Sequence, residues 1–97
     1  MIAVVIPAHN EARRLGRCLK SVRAAAEQAE LAGYRVEILV VLDRCSDGSA
    51  AVARRQGVQT LEVHAGNVGM ARSAGAARMI EQGASWLACT DADSQVP

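Results

Sequence analysis

Ninety-seven residues with 51% hydrophobic content suffice for one buried core, and therefore for one domain or part of one. Eleven basic residues against ten acidic ones leave a formal charge of +1, so no global field draws in nucleic acid or anionic lipid. No apolar run approaches the roughly 18 residues that a membrane span needs.

Residues 2–6 are continuously apolar and are cut short by Pro7, which reads as a buried strand and not as a signal peptide. A helix is expected from about Glu11 to Gly33, with Asn10 as its cap. Its apolar positions Ala12, Leu15, Cys18, Leu19, Val22, Ala26 and Ala29 recur at the spacing of one buried face. Residues 36–42 form a second strand, apolar nearly throughout, as expected where both faces are covered. A turn follows, with Ser46 or Asp47 capping a short helix that ends at Gly57. Residues 58–63 are a third strand, Gly66 to Gly69 a second turn, and an Ala-rich helix then runs to about Gln82. Residues 86–90 make the fourth strand.

This β-α-β-α-β-α-β order implies an α/β fold, a mostly parallel four-stranded sheet with helices on both faces. The polar segments after strands one, two and four then share the carboxyl edge of the sheet, where open α/β sheets bind ligands. The Ala- and Val-rich composition without Phe suits helices packed closely on such a sheet. Three cysteines without Cys-x-x-Cys spacing argue against a disulfide framework or a zinc site and fit reduced thiols in a cytoplasmic protein.

The sharpest chemical signal is Asp91-Ala92-Asp93 at the exit of strand four. Two carboxylates one residue apart can face a divalent cation jointly, and Mg²⁺ or Mn²⁺ favours such oxygen ligands beside substrate phosphates. An isolated Asp-x-Asp is more often a turn cap, and its place on the ligand edge is what favours function. In Pro7-Ala8-His9-Asn10-Glu11 a plain turn accounts for Pro7 and Asn10, whereas His9 and Glu11 are suited to contact a base and a ribose. Asp43 ends strand two and is either a turn former or an acceptor for a nucleobase N–H, while Asp47 reads as a helix cap. Arg72 is either a surface cation or a phosphate ligand. The Gly66 segment lacks both the P-loop and the dinucleotide fingerprints, and His64 and the cysteines read as structural.

Four of these segments together resemble family 2 glycosyltransferases. The opening Ile2-Ala3-Val4-Val5-Ile6-Pro7-Ala8-His9-Asn10-Glu11 is similar to the family's Val-Ile-Pro-Ala-Tyr-Asn-Glu. Residues 40–49, Val-Val-Leu-Asp-Arg-Cys-Ser-Asp-Gly-Ser, resemble Val-Val-Asp-Asp-Gly-Ser-Thr-Asp-Gly-Thr. Asn67-x-Gly-x-Ala-Arg before a small-residue helix, and a strand ending in Asp-Ala-Asp, complete the match in the family's order. His9 stands in place of the usual Tyr, and Leu42 in place of the first Asp of the Asp-Asp pair.

The resemblance implies the N-terminal, nucleotide-sugar-binding half of a GT-A domain over residues 1–97, with the domain continuing past Pro97. It implies an inverting transfer of sugar from a UDP- or GDP-linked donor to an acceptor hydroxyl. Pro7, Ala8, His9 and Glu11 would line the nucleotide pocket and Asp43 would pair with the base. Arg72 would lie near the ribose or phosphates, Asp91 would face the ribose or metal, and Asp93 would hold Mn²⁺ or Mg²⁺. The catalytic base would come from beyond Pro97, so the chain alone is expected to be inactive. Two rival readings are a non-catalytic nucleotide-binding fragment and a nucleotidyltransferase, the latter disfavoured because it usually carries a Gly-rich basic loop after strand one. An unpaired edge on strand four would favour a homo-oligomer.

Overall fold

The computed structural model describes residues 1–92. Four strands alternate with three helices: β1 (Ile2–Ala8), α1 (Ala12–Leu31), β2 (Val36–Asp43), α2 (Ser49–Arg55), β3 (Gln59–Val63), α3 (Val68–Glu81) and β4 (Trp86–Cys89). The sheet is parallel throughout, in the order β3-β2-β1-β4. The chain builds outward from β1 to β3 and then returns through α3 to place β4 on the far side of β1. Strand order therefore reverses at β1.

The period of two along the strands divides the core between the two faces. Ile38, Val40 and Leu42 turn with Ile6 and Ala8 toward α1 and α2, meeting Leu15, Cys18, Leu19, Val22 and Ala53. Leu39 and Val41 turn with Ala3 and Val5 toward α3, meeting Ala71 and Met79. Each fully buried Val, Leu or Ile contributes about 1.5–3 kcal/mol, so β2, buried from Ile38 onward, is the apolar centre of the molecule. α3 approaches so closely that a Cβ on Gly75 would stand 2.5 Å from Val5 Cγ1 and 2.7 Å from Val41 Cγ2. Its amino end is capped by Asn67, whose side chain accepts from the Met70 amide at 3.1 Å.

The helix starts differ from the sequence reading. Asn10 does not cap α1: it lies at φ 49°, and its Oδ1 accepts instead from the amides of Ser46 at 2.7 Å and Asp47 at 3.2 Å. The cause is the register of the sheet, which sets Ala8 beside Leu42 and so brings the β1–α1 and β2–α2 turns together. The start of α1 is closed from the neighbouring turn. Asp47 Oδ2 accepts from Ala12 N and Ser49 Oγ accepts from Glu11 N, both at 3.2 Å. The other oxygen of Asp47 accepts from the Ser49 amide at 3.0 Å, so one carboxylate serves both helices, although Gly48 is the cap residue of α2. The Ser49 hydroxyl also donates to that oxygen at 2.6 Å, and this bond first, then the amides, holds the Asp47 carboxyl below its usual pKa.

Candidate nucleotide site

A cleft of about 310 Å³ opens at the carboxyl edge over β1 and β2. Pro7, Ala8, His9, Glu11 and Asp43 line it, so the structure gathers five residues singled out in the sequence. Arg44, Gly66, Asn67, Val68 and Ala71 complete the lining, so the β3–α3 turn forms the opposite wall.

Asp43 is the pivot of this wall. Its side chain is buried at 6% exposure. Oδ1 accepts from the amides of Ala65 at 2.9 Å and Gly66 at 3.1 Å, and Oδ2 accepts from Asn67 at 3.3 Å. These donors, Gly66 first, hold the carboxyl below its usual pKa against the opposing effect of burial. A carboxylate has about four acceptor positions, so the three amides do not fill it, and Asp43 lines the cleft. Asp43 is thus a turn former, as one sequence reading has it, and it also lines the cleft.

His9 stands in the place that Tyr holds in the similar motif. Its Nδ1 lies 2.7 Å from the main-chain oxygen of Asp43. A carbonyl only accepts, so Nδ1 carries a proton, and in that tautomer Nε2 is the acceptor. Nearby, the Cys45 thiol donates to the main-chain oxygen of Ala8 at 3.4 Å, and the Cys18 thiol to that of Asp91 at 3.5 Å.

Arg72 and Asp91 do not line this cleft. Arg72 Nη2 donates to Asp91 Oδ1 at 2.7 Å on the β4 side of the same edge. Arg72 Nε is buried and has no hydrogen-bond partner among the described residues, leaving an orphan donor beside the pair. Asp93 lies outside the described residues. Among the described residues no group of three metal-ligating side chains comes together.

Sequence reasoning missed Arg44. It occupies φ 54°, where the similar motif carries Gly, and that mismatch was its one signal. Gly66, at φ 62°, lies directly beneath the guanidinium, and a Cβ there would come within 2.8 Å of Arg44 Nη1.

Solved structures with the same fold bind nucleotides. TarS 1-349 from S. aureus in complex with UDP matches at TM-score 0.71 and 18% identity, covering 95% of this chain and 27% of that one. The mannosyltransferase PcManGT from Pyrobaculum calidifontis in complex with GDP-Man and Mn²⁺ matches at TM-score 0.68 and 18% identity, covering 99% of this chain and 28% of that one. The chain therefore spans little more than a quarter of the length of either structure. No curated protein gives a significant match. The family model for glycosyl transferase family 2 matches residues 3–97, and with the parallel sheet and its edge cleft this assigns the chain to that family.

Proposed function

We propose that this chain forms the donor-binding part of an inverting glycosyltransferase that moves a sugar from a nucleoside diphosphate to an acceptor hydroxyl. The observation that carries the reading is the cleft at the carboxyl edge, in which Asp43 and His9 present hydrogen-bond acceptors beside the point where strand order reverses. The complexes of similar fold with UDP and with GDP-Man support the donor class. Family membership favours glycosyl over nucleotidyl transfer.

Mn²⁺ or Mg²⁺ fits the chemistry of the β4 end. Asp91 supplies a half-exposed carboxylate there, and Asp93, the second expected ligand, follows two residues later. When bound, the cation would neutralise charge developing on the departing diphosphate. Arg72, with its orphan Nε donor, is suited to meet the same phosphates. By the family resemblance, the base that activates the acceptor belongs to the part of the domain after residue 97.

Calorimetric titration of UDP and GDP, with and without Mn²⁺, tests the reading. Nucleotide binding strengthened by Mn²⁺ is expected, with no metal retained in its absence, because each ligand supplies contacts the other needs. Asp93→Ala should abolish the Mn²⁺ effect, and Asp43→Ala should weaken binding with or without metal. Equal nucleotide affinity in wild type and Asp93→Ala at saturating Mn²⁺ removes the Asp-Ala-Asp segment from the site. Absence of binding to either nucleotide overturns the donor reading itself.

A further inference from the structure

We propose that the cleft selects a guanine nucleotide and that Arg44 reads the base. The inference rests on the donor-site reading above and deepens it.

Arg44 holds an αL backbone, strained for any residue with a Cβ, at a position where Gly would be free of strain. A strained residue that also lines a ligand cleft is a candidate for direct contact. Its guanidinium rests on Gly66, whose missing Cβ makes the room, and is exposed at the cleft. Among the described residues it has no ion pair or side-chain hydrogen bond. The carboxylate beside it in sequence is occupied by three amides of the β3–α3 turn. Glu62 and His64 border a smaller hollow that Arg44 also lines, and neither pairs with it.

The cleft thus combines acceptors with a two-pronged donor. The acceptors are the cleft-lining Asp43 carboxylate and Nε2 of the Nδ1–H tautomer of His9, and the donor is the Arg44 fork. Guanine matches this set, since N1–H and the N2 amino group donate along one edge while O6 and N7 accept side by side. A guanidinium engages that O6/N7 pair in bidentate fashion. Uracil offers a single N–H between two carbonyls and no adjacent acceptor pair. Adenine puts an amino donor next to N7, where the fork would find one acceptor and one clash. The diphosphate is better received near Arg72, because the Asp43 carboxylate beside Arg44 repels it.

Titration of GDP, UDP and ADP into the wild-type chain and into Arg44→Gly and Arg44→Lys, all with Mn²⁺, tests the proposal. Wild type should bind GDP at least about tenfold more tightly than UDP or ADP. Arg44→Gly should lose roughly tenfold in GDP affinity with UDP unchanged, and Arg44→Lys should lose most of the preference, because a point charge lacks the fork. Gly suits the αL backbone, so the thermal midpoint of Arg44→Gly should match or exceed wild type, separating lost recognition from lost fold. Equal GDP and UDP affinity in wild type overturns the inference and leaves the donor reading standing. Equal weakening of both nucleotides in Arg44→Gly also overturns it, since that marks a phosphate contact. Failure of all three nucleotides to bind wild type overturns both.

Discussion

Arg72 Nη2 donates to Asp91 Oδ1 at 2.7 Å, an ion pair that ties α3 to the chain just past β4. The side chains are 40% and 52% exposed, so water and salt screen the pair and its contribution is small. Arg72→Ala should therefore cost less than about 1 kcal/mol in urea unfolding. The same variant should weaken GDP binding severalfold if Arg72 meets the diphosphate. Unchanged affinity at low salt would assign Arg72 to the ion pair alone.

Acid should loosen the cleft before it unfolds the sheet. Asp43 and Asp47 have folded-state pKa values below the ordinary carboxylate value. Their contribution to stability is present above the unfolded-state pKa near 4 and is lost as pH falls through the lower folded values. Thermal midpoints should hold steady from about pH 7 to pH 5 and fall below about pH 4. Asp43→Asn should be less stable than wild type at neutral pH, and the gap should narrow in acid. A gap that stays constant with pH would contradict the carboxylate's role.

Gly75→Ala should be strongly destabilising. The added methyl would stand 2.5 Å and 2.7 Å from two β-branched side chains of the central strands, and those rotamers have little freedom to yield. Overpacking of this kind costs about 1–3 kcal/mol. In a domain of this size that is a drop of several degrees or more in thermal midpoint. A wild-type melt would mean that α3 can move off the sheet.

β4 should mediate self-association. It is an edge strand of the described sheet, with Trp86 72% and Leu87 41% exposed. An open edge carrying large apolar side chains invites pairing with a second chain. Light scattering should report a mass that rises with concentration, and Trp86→Lys should shift the chain toward monomer. A monomer at high concentration would count against this.

The elements were readable because burial leaves a periodic trace. Leu15, Cys18, Leu19, Val22 and Ala26 are buried where the spacing in α1 requires, and β2 is covered on both faces as its apolar run implies. Strand direction placed the segments after β1 and β2 at one edge, and the family resemblance named Pro7, Ala8, His9, Glu11 and Asp43 within them; the structure brings all five to one cleft. The exchange of capping partners between two turns was not legible, since it depends on which strands are neighbours and in what register. Asn10 and Asp47 each look like local caps, yet both, with Ser49, bond across the gap. Arg44 escaped because a single positive φ leaves no pattern in hydrophobicity or spacing.

The shared carboxylate of Asp47 also bears on how the molecule opens. Ala12 and Ser49 are 37 positions apart in sequence, yet their amides close on the same side chain. Neither helix start can fray without exposing a partner of the other, so the amino ends of α1 and α2 should exchange their amide hydrogens as one cooperative unit. The two turns flanking the cleft then rise and fall together. The part of the rim that these two turns carry should therefore open as one unit, facing the separate wall of the β3–α3 turn.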